Sequence, residues 1–189
     1  MALLQPVKTW NLGTSTHLVV SSGLIVRFGT PKQELLLPEV LRRLESSPVD
    51  EIVVVEGAYR LRDGLLQDRA RLVRCAEWEM GPGASLRCGL AALEDDVAAA
   101  LVVLADGPRL SPDAIARVIE SWYEEGGEVV AASYDGVRGH PLLVARPGWA
   151  EVPDEGLRVV APRLVRCDDL GAPGDVDTPA DLAALDEDG

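Results

Sequence analysis

Apolar positions along the chain fall into short unbroken runs separated by stretches with a helical period. Glu51-Ile-Val-Val-Val-Glu56 and Ala99 to Ala105 are continuous apolar runs bounded by charge or turn residues, and Ala70 to Cys75, interrupted by Arg71 and Arg74, is a shorter strand candidate. Such runs predict strands buried on both faces. Between them, Val40, Leu41 and Leu44 share one helical face within Pro38 to Ser46, and Leu86, Leu90 and Leu93 do so within Ser85 to Leu93. The clearest helix start is Ser111-Pro112-Asp113, a hydroxyl N-cap before proline at the first helical position. Gly126-Gly127 closes the helix after Glu125. Strands are also expected at Glu128 to Ser133, Pro141 to Ala145 and Leu164 to Cys167, and Thr178-Pro179-Ala180-Asp181 starts a last helix. Upstream, Thr16 to Ser21 predicts a first strand, which divides the chain into an N-terminal arm, 1–15, and a domain over 16–189. Strands alternating with helices predict a three-layer α/β/α sandwich around a Rossmann-like, mostly parallel sheet, with ligands at the carboxyl ends of its strands.

Composition narrows the function. With 47% hydrophobic and 4% aromatic residues among 189, a core must be built chiefly from Ala, Val and Leu. The longest apolar run, Val97 to Ala105, falls far short of the roughly 20 residues that a membrane-spanning helix needs, so no membrane partner is expected. Thirty-one acidic against 18 basic residues give a net charge of -13, the wrong sign of field for a phosphate backbone, and no nucleic-acid partner is expected. Every acidic residue lies after position 33. Cys75, Cys88 and Cys167 are an odd number at spacings that match no metal motif, and they read as reduced thiols of a cytoplasmic protein.

Several loops carry candidate chemistry. Apart from Lys8, Lys32 is the chain's one lysine; it ends Arg27-Phe28-Gly29-Thr30-Pro31-Lys32, a glycine-containing loop after Gly23 whose cations could neutralise a triphosphate. A surface turn with solvated charges is the competing reading. Asp106 follows the most apolar strand and precedes Gly107-Pro108, where a metal ligand would sit and where a plain turn would also fit. Asp175-Val176-Asp177 adds two carboxylates on one side of the chain, either of which could complete a Mg²⁺ site or simply lead into the helix cap. Trp78-Glu79-Met80-Gly81-Pro82-Gly83-Ala84-Ser85 runs into a helix N-terminus, a place for a base or a phosphate. Gly139-His140-Pro141 sets a histidine in a loop as a substrate contact or general base. Asp154-Glu155-Gly156-Leu157-Arg158 is a turn with charges of both signs.

Taken together and in this order, these segments resemble the MobA-like nucleotidyltransferases, especially the molybdenum cofactor cytidylyltransferase branch. That family shows Arg-x-Gly-x-Pro-Lys, Trp-x-x-Gly with a downstream Ser, Asp-x-Pro after a strand, Gly-His-Pro, Gly-Asp-Glu-Gly-x-Arg and Asp-x-Asp-Thr-Pro. The chain matches at 27–32, 78–85, 106–108, 139–141, 154–158 and 175–179. The resemblance implies Mg²⁺-dependent transfer of CMP from CTP to a phosphate of a molybdopterin-type acceptor with release of pyrophosphate, or the same fold using GTP or another phosphorylated acceptor, with a molybdoenzyme or its chaperone as partner. By the same carry-over, Gly23, Arg27, Gly29 and Lys32 would hold the triphosphate. Gly81 and Ser85 would lie near the base, Asp106 and Asp177 would bind the metal, and His140, Asp154 and Arg158 would meet the acceptor. Lys32, Asp106 and Asp177 would be the catalytic set. One departure stands out. Leu24-Ile25-Val26 occupies the place of a small, polar loop, and β-branched Ile25 and Val26 would stiffen a backbone that must wrap phosphates. A weakly active or inactive paralogue that binds nucleotide or a partner enzyme without turnover is therefore the alternative reading.

Overall fold

In the computed structural model, the described residues are 16–21, 32–58, 60–62, 64 and 70–174, with the backbone alone described for 16–21 and 32–34. Seven strands form one sheet: β1 (Thr16–Ser21), β2 (Ile52–Glu56), β3 (Ala70–Arg74), β4 (Ala99–Leu104), β5 (Val129–Tyr134), β6 (Val137–Ala145) and β7 (Arg163–Arg166). Three helices pack on it: α1 (Lys32–Leu44), α2 (Pro82–Ala91) and α3 (Pro112–Glu125). The spatial order is β3-β2-β1-β4-β6-β5-β7. β4 lies at the centre; beside it β1 runs parallel to β2 with Ser21 opposite Val55 and parallel to β4 with Ser21 opposite Leu104.

Alternation along these strands makes two cores. Ile52, Val54, Leu101, Val103, Val130 and Ala132 point to one face, where Leu37, Val40, Leu41, Leu44, Ile115, Val118 and Ile119 of α1 and α3 cover them. Val53, Val55, Ala100, Val102, Ala131, Leu142 and Val144 point to the other, under Leu86 and Leu90 of α2. Strands buried on both faces must be apolar throughout, and β2 is buried at every position. The three-layer sandwich expected from the sequence is therefore observed.

Four local expectations are corrected. α1 begins at Lys32 rather than Pro38, because Leu36 and Leu37 extend its buried stripe and the solvent-facing Pro38 is accommodated inside it. Lys32 thus opens a helix and does not lie in a loop. Gly139-His140-Pro141 is likewise not a loop but part of β6, which runs antiparallel to β4 and β5. The reversal is made by Asp135-Gly136, both in the left-handed region at φ 53° and 77°, as a tight two-residue hairpin requires. Finally, Cys75 and Cys88 are not reduced thiols: they form a disulfide with Cα atoms 5.6 Å apart, tying the end of β3 to α2. Cys167 is a free, fully buried thiol. No helix among the described residues is long and apolar enough to cross a membrane.

Candidate active site

The parallel strands β1, β2 and β4 end at one edge of the sheet, and the antiparallel β6 begins there. Its register with β4, Ala99 opposite Ala145 and Val102 opposite Leu142, carries His140 up beside Leu104. Asp106 lies two residues beyond Leu104 in a turn closed by the Gly107 amide donating to the Leu104 carbonyl (3.3 Å) and the Leu110 amide donating to that of Gly107 (3.2 Å). The Arg109 amide donates to the Pro173 carbonyl (3.2 Å), so residues 173–174 run alongside this turn. The chain that continues into Asp175 and Asp177 starts from there; both aspartates lie outside the described residues.

His140 is drawn in chemically as well as sterically. Burial, reinforced by the positive charge of Arg138 and opposed by the nearby Asp106 carboxylate, pushes its imidazole down to about 4. At neutral pH it is an uncharged ring with one donor and one acceptor nitrogen, suited to a hydrogen bond and unable to serve as a cation for phosphate. Its carbonyl accepts a hydrogen bond from the Tyr134 hydroxyl (2.9 Å), which helps hold this part of β6 in place.

Beside His140 opens a cavity of about 390 Å³. Its floor is apolar: Leu86 of α2, Val102 and Leu104 of β4, Leu142 of β6 and Leu157. Its polar lining is His140, Arg138, Glu155 and Arg158. Arg158 is exposed and makes no hydrogen bond or ion pair among the described residues. In a chain with an excess of acidic residues, an arginine without a carboxylate partner at the mouth of a cavity is available to a ligand anion.

The segment carrying Arg158 is docked tightly on the glycine turn that leads into α2. The Gly83 amide donates to the Asp154 carbonyl (3.0 Å), while Arg87 donates to the Val152 carbonyl (2.7 Å) and to the Asp154 carboxylate (2.6 Å). A Cβ on Gly83 would overlap the Pro153 carbonyl oxygen, and one on Gly81, at φ 126°, would come within 2.5 Å of the Asp154 carbonyl oxygen. These positions are glycine because another backbone occupies the space. On the opposite side of the same turn, Trp78 packs over the end of β2, where a Cβ on Gly57 would lie 2.9 Å from the Trp78 Cβ.

The structure therefore brings His140 and Arg158 to one cavity, with Asp106 close to His140, while Gly81 and the buried Ser85 stand at the start of α2, whose Pro82 and Leu86 line that cavity. Asp154 is separated from the cavity, its carboxylate being taken by Arg87. Lys32 opens α1 at the backbone level; Gly23, Arg27, Gly29 and Asp177 lie outside the described residues. Sequence reasoning missed Arg138, although its spacing of two from His140 in a strand places both on one face. As for a metal, no three His, Cys, Asp or Glu side chains gather among the described residues. Asp106 alone fits a site of the Mg²⁺ kind, in which one or two protein carboxylates are completed by water and substrate phosphates.

The MobA-like NTP transferase domain, as a family model, matches residues 25–161, well over half of the chain. No curated protein matches the chain. Among solved structures, Rv0371c from Mycobacterium tuberculosis H37Rv is 25% identical, with a TM-score of 0.76, covering 93% of this chain and 100% of that one. Its complex with manganese superposes with a TM-score of 0.68 at 22% identity, covering 93% and 100% of the two chains. The 2-C-methyl-D-erythritol 4-phosphate cytidylyltransferase of Francisella tularensis shares the fold at 14% identity and a TM-score of 0.65, covering 92% and 99%.

Proposed function

Because the chain belongs to the MobA-like NTP transferase domain family, we propose that this nucleotidyltransferase moves CMP from CTP onto a phosphate of a molybdopterin-type cofactor. An acceptor phosphate oxygen attacks the α-phosphorus in line, the bond to the β-phosphate breaks, and pyrophosphate leaves. The observation that carries the reading is the unpaired Arg158 at an apolar cavity that also presents a neutral His140 next to the Asp106 turn. Arg158 would hold an acceptor anion, the Leu86, Val102 and Leu142 floor would take an uncharged ring body, and His140 would donate or accept one hydrogen bond without charge. Asp106, with Asp177, would hold Mg²⁺, which when bound would neutralise charge on the reacting and leaving phosphates. Gly23, Arg27, Gly29 and Lys32 would bind the triphosphate, with Gly81 and Ser85 at the base. The preference for CTP over GTP rests on the sequence resemblance. Residues 16–189 are the domain assigned to this activity. The proposed cytoplasmic setting rests on the substrates alone, since the Cys75–Cys88 bridge removes the support of reduced thiols, and a molybdoenzyme or its chaperone would receive the product.

A second reading, binding without turnover, is favoured by Ile25 and Val26 where the family has small residues. A thermal-shift titration with CTP, GTP and ATP, each with and without Mg²⁺, separates the two. A nucleotide at 100 times its dissociation constant stabilises the fold by about 2.7 kcal/mol. A Mg²⁺-dependent shift with CTP alone, lost in Asp106→Asn and followed by pyrophosphate release when molybdopterin is added, is the expected result. A Mg²⁺-independent shift without pyrophosphate release would replace the enzymatic reading with the second one.

A further inference from the structure

Arg158 belongs to a three-residue 3-10 turn, Leu157–Val159, entered through Gly156 at φ 74° and closed by the Val160 amide donating to the Leu157 carbonyl (3.0 Å). No side chain caps this turn, and Val159 on it is 60% exposed. A turn this short, with one residue buried, does not hold its own shape. What holds it comes from β6. Arg138 sends its guanidinium out of the sheet so that Nη1 donates to the Val160 carbonyl (2.7 Å) and Nη2 to the Leu157 carbonyl (2.7 Å). The two accepting residues bracket Arg158 and Val159, so the rigid fork fixes both ends of the peptide from which the Arg158 side chain springs.

The choice of partner is informative. Glu155 lines the same cavity, yet neither Arg138 nor Arg158 forms an ion pair with it. Arg138 is half-buried and spends its donors on two carbonyls, leaving Arg158 as the uncommitted cation. A fork that bridges two carbonyls at fixed separation is a task for guanidinium and not for a lysine ammonium, which is a point donor on a flexible stem. We propose that Arg138 is a positioning residue for the acceptor half of the reaction: through the Leu157 and Val160 carbonyls it sets Arg158 at the mouth of the cavity. This rests on the reading of that cavity as the acceptor site.

The test compares Arg138→Ala and Arg138→Lys with Arg163→Ala, a control whose guanidinium also holds backbone carbonyls, those of Ser121 and Gly126, away from the cavity. Hydrogen exchange read by mass spectrometry should speed up at least about tenfold over residues 157–160 in Arg138→Ala and stay at the wild-type rate there in Arg163→Ala. In transfer assays with Mg²⁺, CTP and molybdopterin, Arg138→Ala should raise the acceptor KM at least about tenfold and leave the CTP KM within about twofold. Arg138→Lys, which keeps the charge but not the fork, should behave like Arg138→Ala, and it carries the test if the alanine variant does not fold. Wild-type exchange over 157–160 in Arg138→Ala, a wild-type acceptor KM in Arg138→Lys, or equal rises in both KM values would each overturn the assignment. Absence of transfer by the wild-type protein would remove the functional reading alone, and the exchange rates would still decide whether Arg138 holds the turn.

Discussion

Replacing Gly83 with alanine tests the packing on which the site depends. The added methyl would overlap the Pro153 carbonyl oxygen and stand 2.7 Å from the carbonyl carbon and 3.0 Å from the Asp154 Cα, all backbone atoms that cannot swing aside as a side chain could. The 153–154 segment must therefore retreat, and the 3.0 Å hydrogen bond from the Gly83 amide to the Asp154 carbonyl goes with it. Overpacking of this kind costs roughly 1–3 kcal/mol and the lost hydrogen bond about 1 kcal/mol, against a gain of about 1 kcal/mol for alanine over glycine in a helix. The net is a loss of about 2 kcal/mol, or about 4–8 °C in Tm for a chain of this length. Thermal unfolding followed by circular dichroism measures it. Adding Arg87→Ala to Gly83→Ala should then cost less than it does alone, since the Val152 and Asp154 partners of Arg87 have already moved. A Gly83→Ala protein as stable as the wild type, or more so, would show that helix propensity outweighs the contact and that the two segments are not in the close approach described.

Three further outcomes are expected. Asp106→Asn should lower turnover about a hundredfold or more in a pyrophosphate-release assay, through loss of charge stabilisation at the reacting phosphates, and full activity would end its assignment as a metal ligand. His140 is held neutral in the folded protein with its pKa at about 4, below the ordinary 6.5, so the stability it contributes is complete above pH 6.5 and is lost as pH falls from there toward 4. Urea unfolding at pH 7, 5 and 4 should show up to about 3 kcal/mol of extra acid loss in the wild type relative to His140→Asn, and parallel curves would refute it. Reduction of the Cys75–Cys88 bridge, which spans 13 residues, should cost about 3 kcal/mol and lower Tm, with no effect in Cys75→Ser; peptide mapping without reductant should recover the two cysteines linked and Cys167 free.

Much of the fold was legible in the sequence because its signals are local. β-branched runs such as Ile52 to Val55 report burial on both faces, and Ser111-Pro112 marks the start of α3, where the Ser111 hydroxyl accepts from the Ala114 amide at 3.4 Å. The rule that ligands meet the carboxyl ends of parallel strands singles out the turn after β4, where the sequence alone already places Asp106. Asp135-Gly136 between two apolar runs is a hairpin signal in the sequence, and it marks Gly139-His140-Pro141 as part of an antiparallel strand rather than a loop.

Whatever joins residues distant along the chain was left to the tertiary structure. Arg87 takes the Asp154 carboxylate, Arg138 holds the turn at Leu157 and Val160, and Cys75 meets Cys88, because α2 and the 152–160 segment pack on the same face of the sheet. Composition and spacing report which residues are present and how often they recur, and so determine elements, layers and family. Which guanidinium is committed to the scaffold and which is left for a ligand depends on distances across the fold: Arg138 on β6 reaches two carbonyls, and Arg158 on its exposed turn reaches no partner among the described residues.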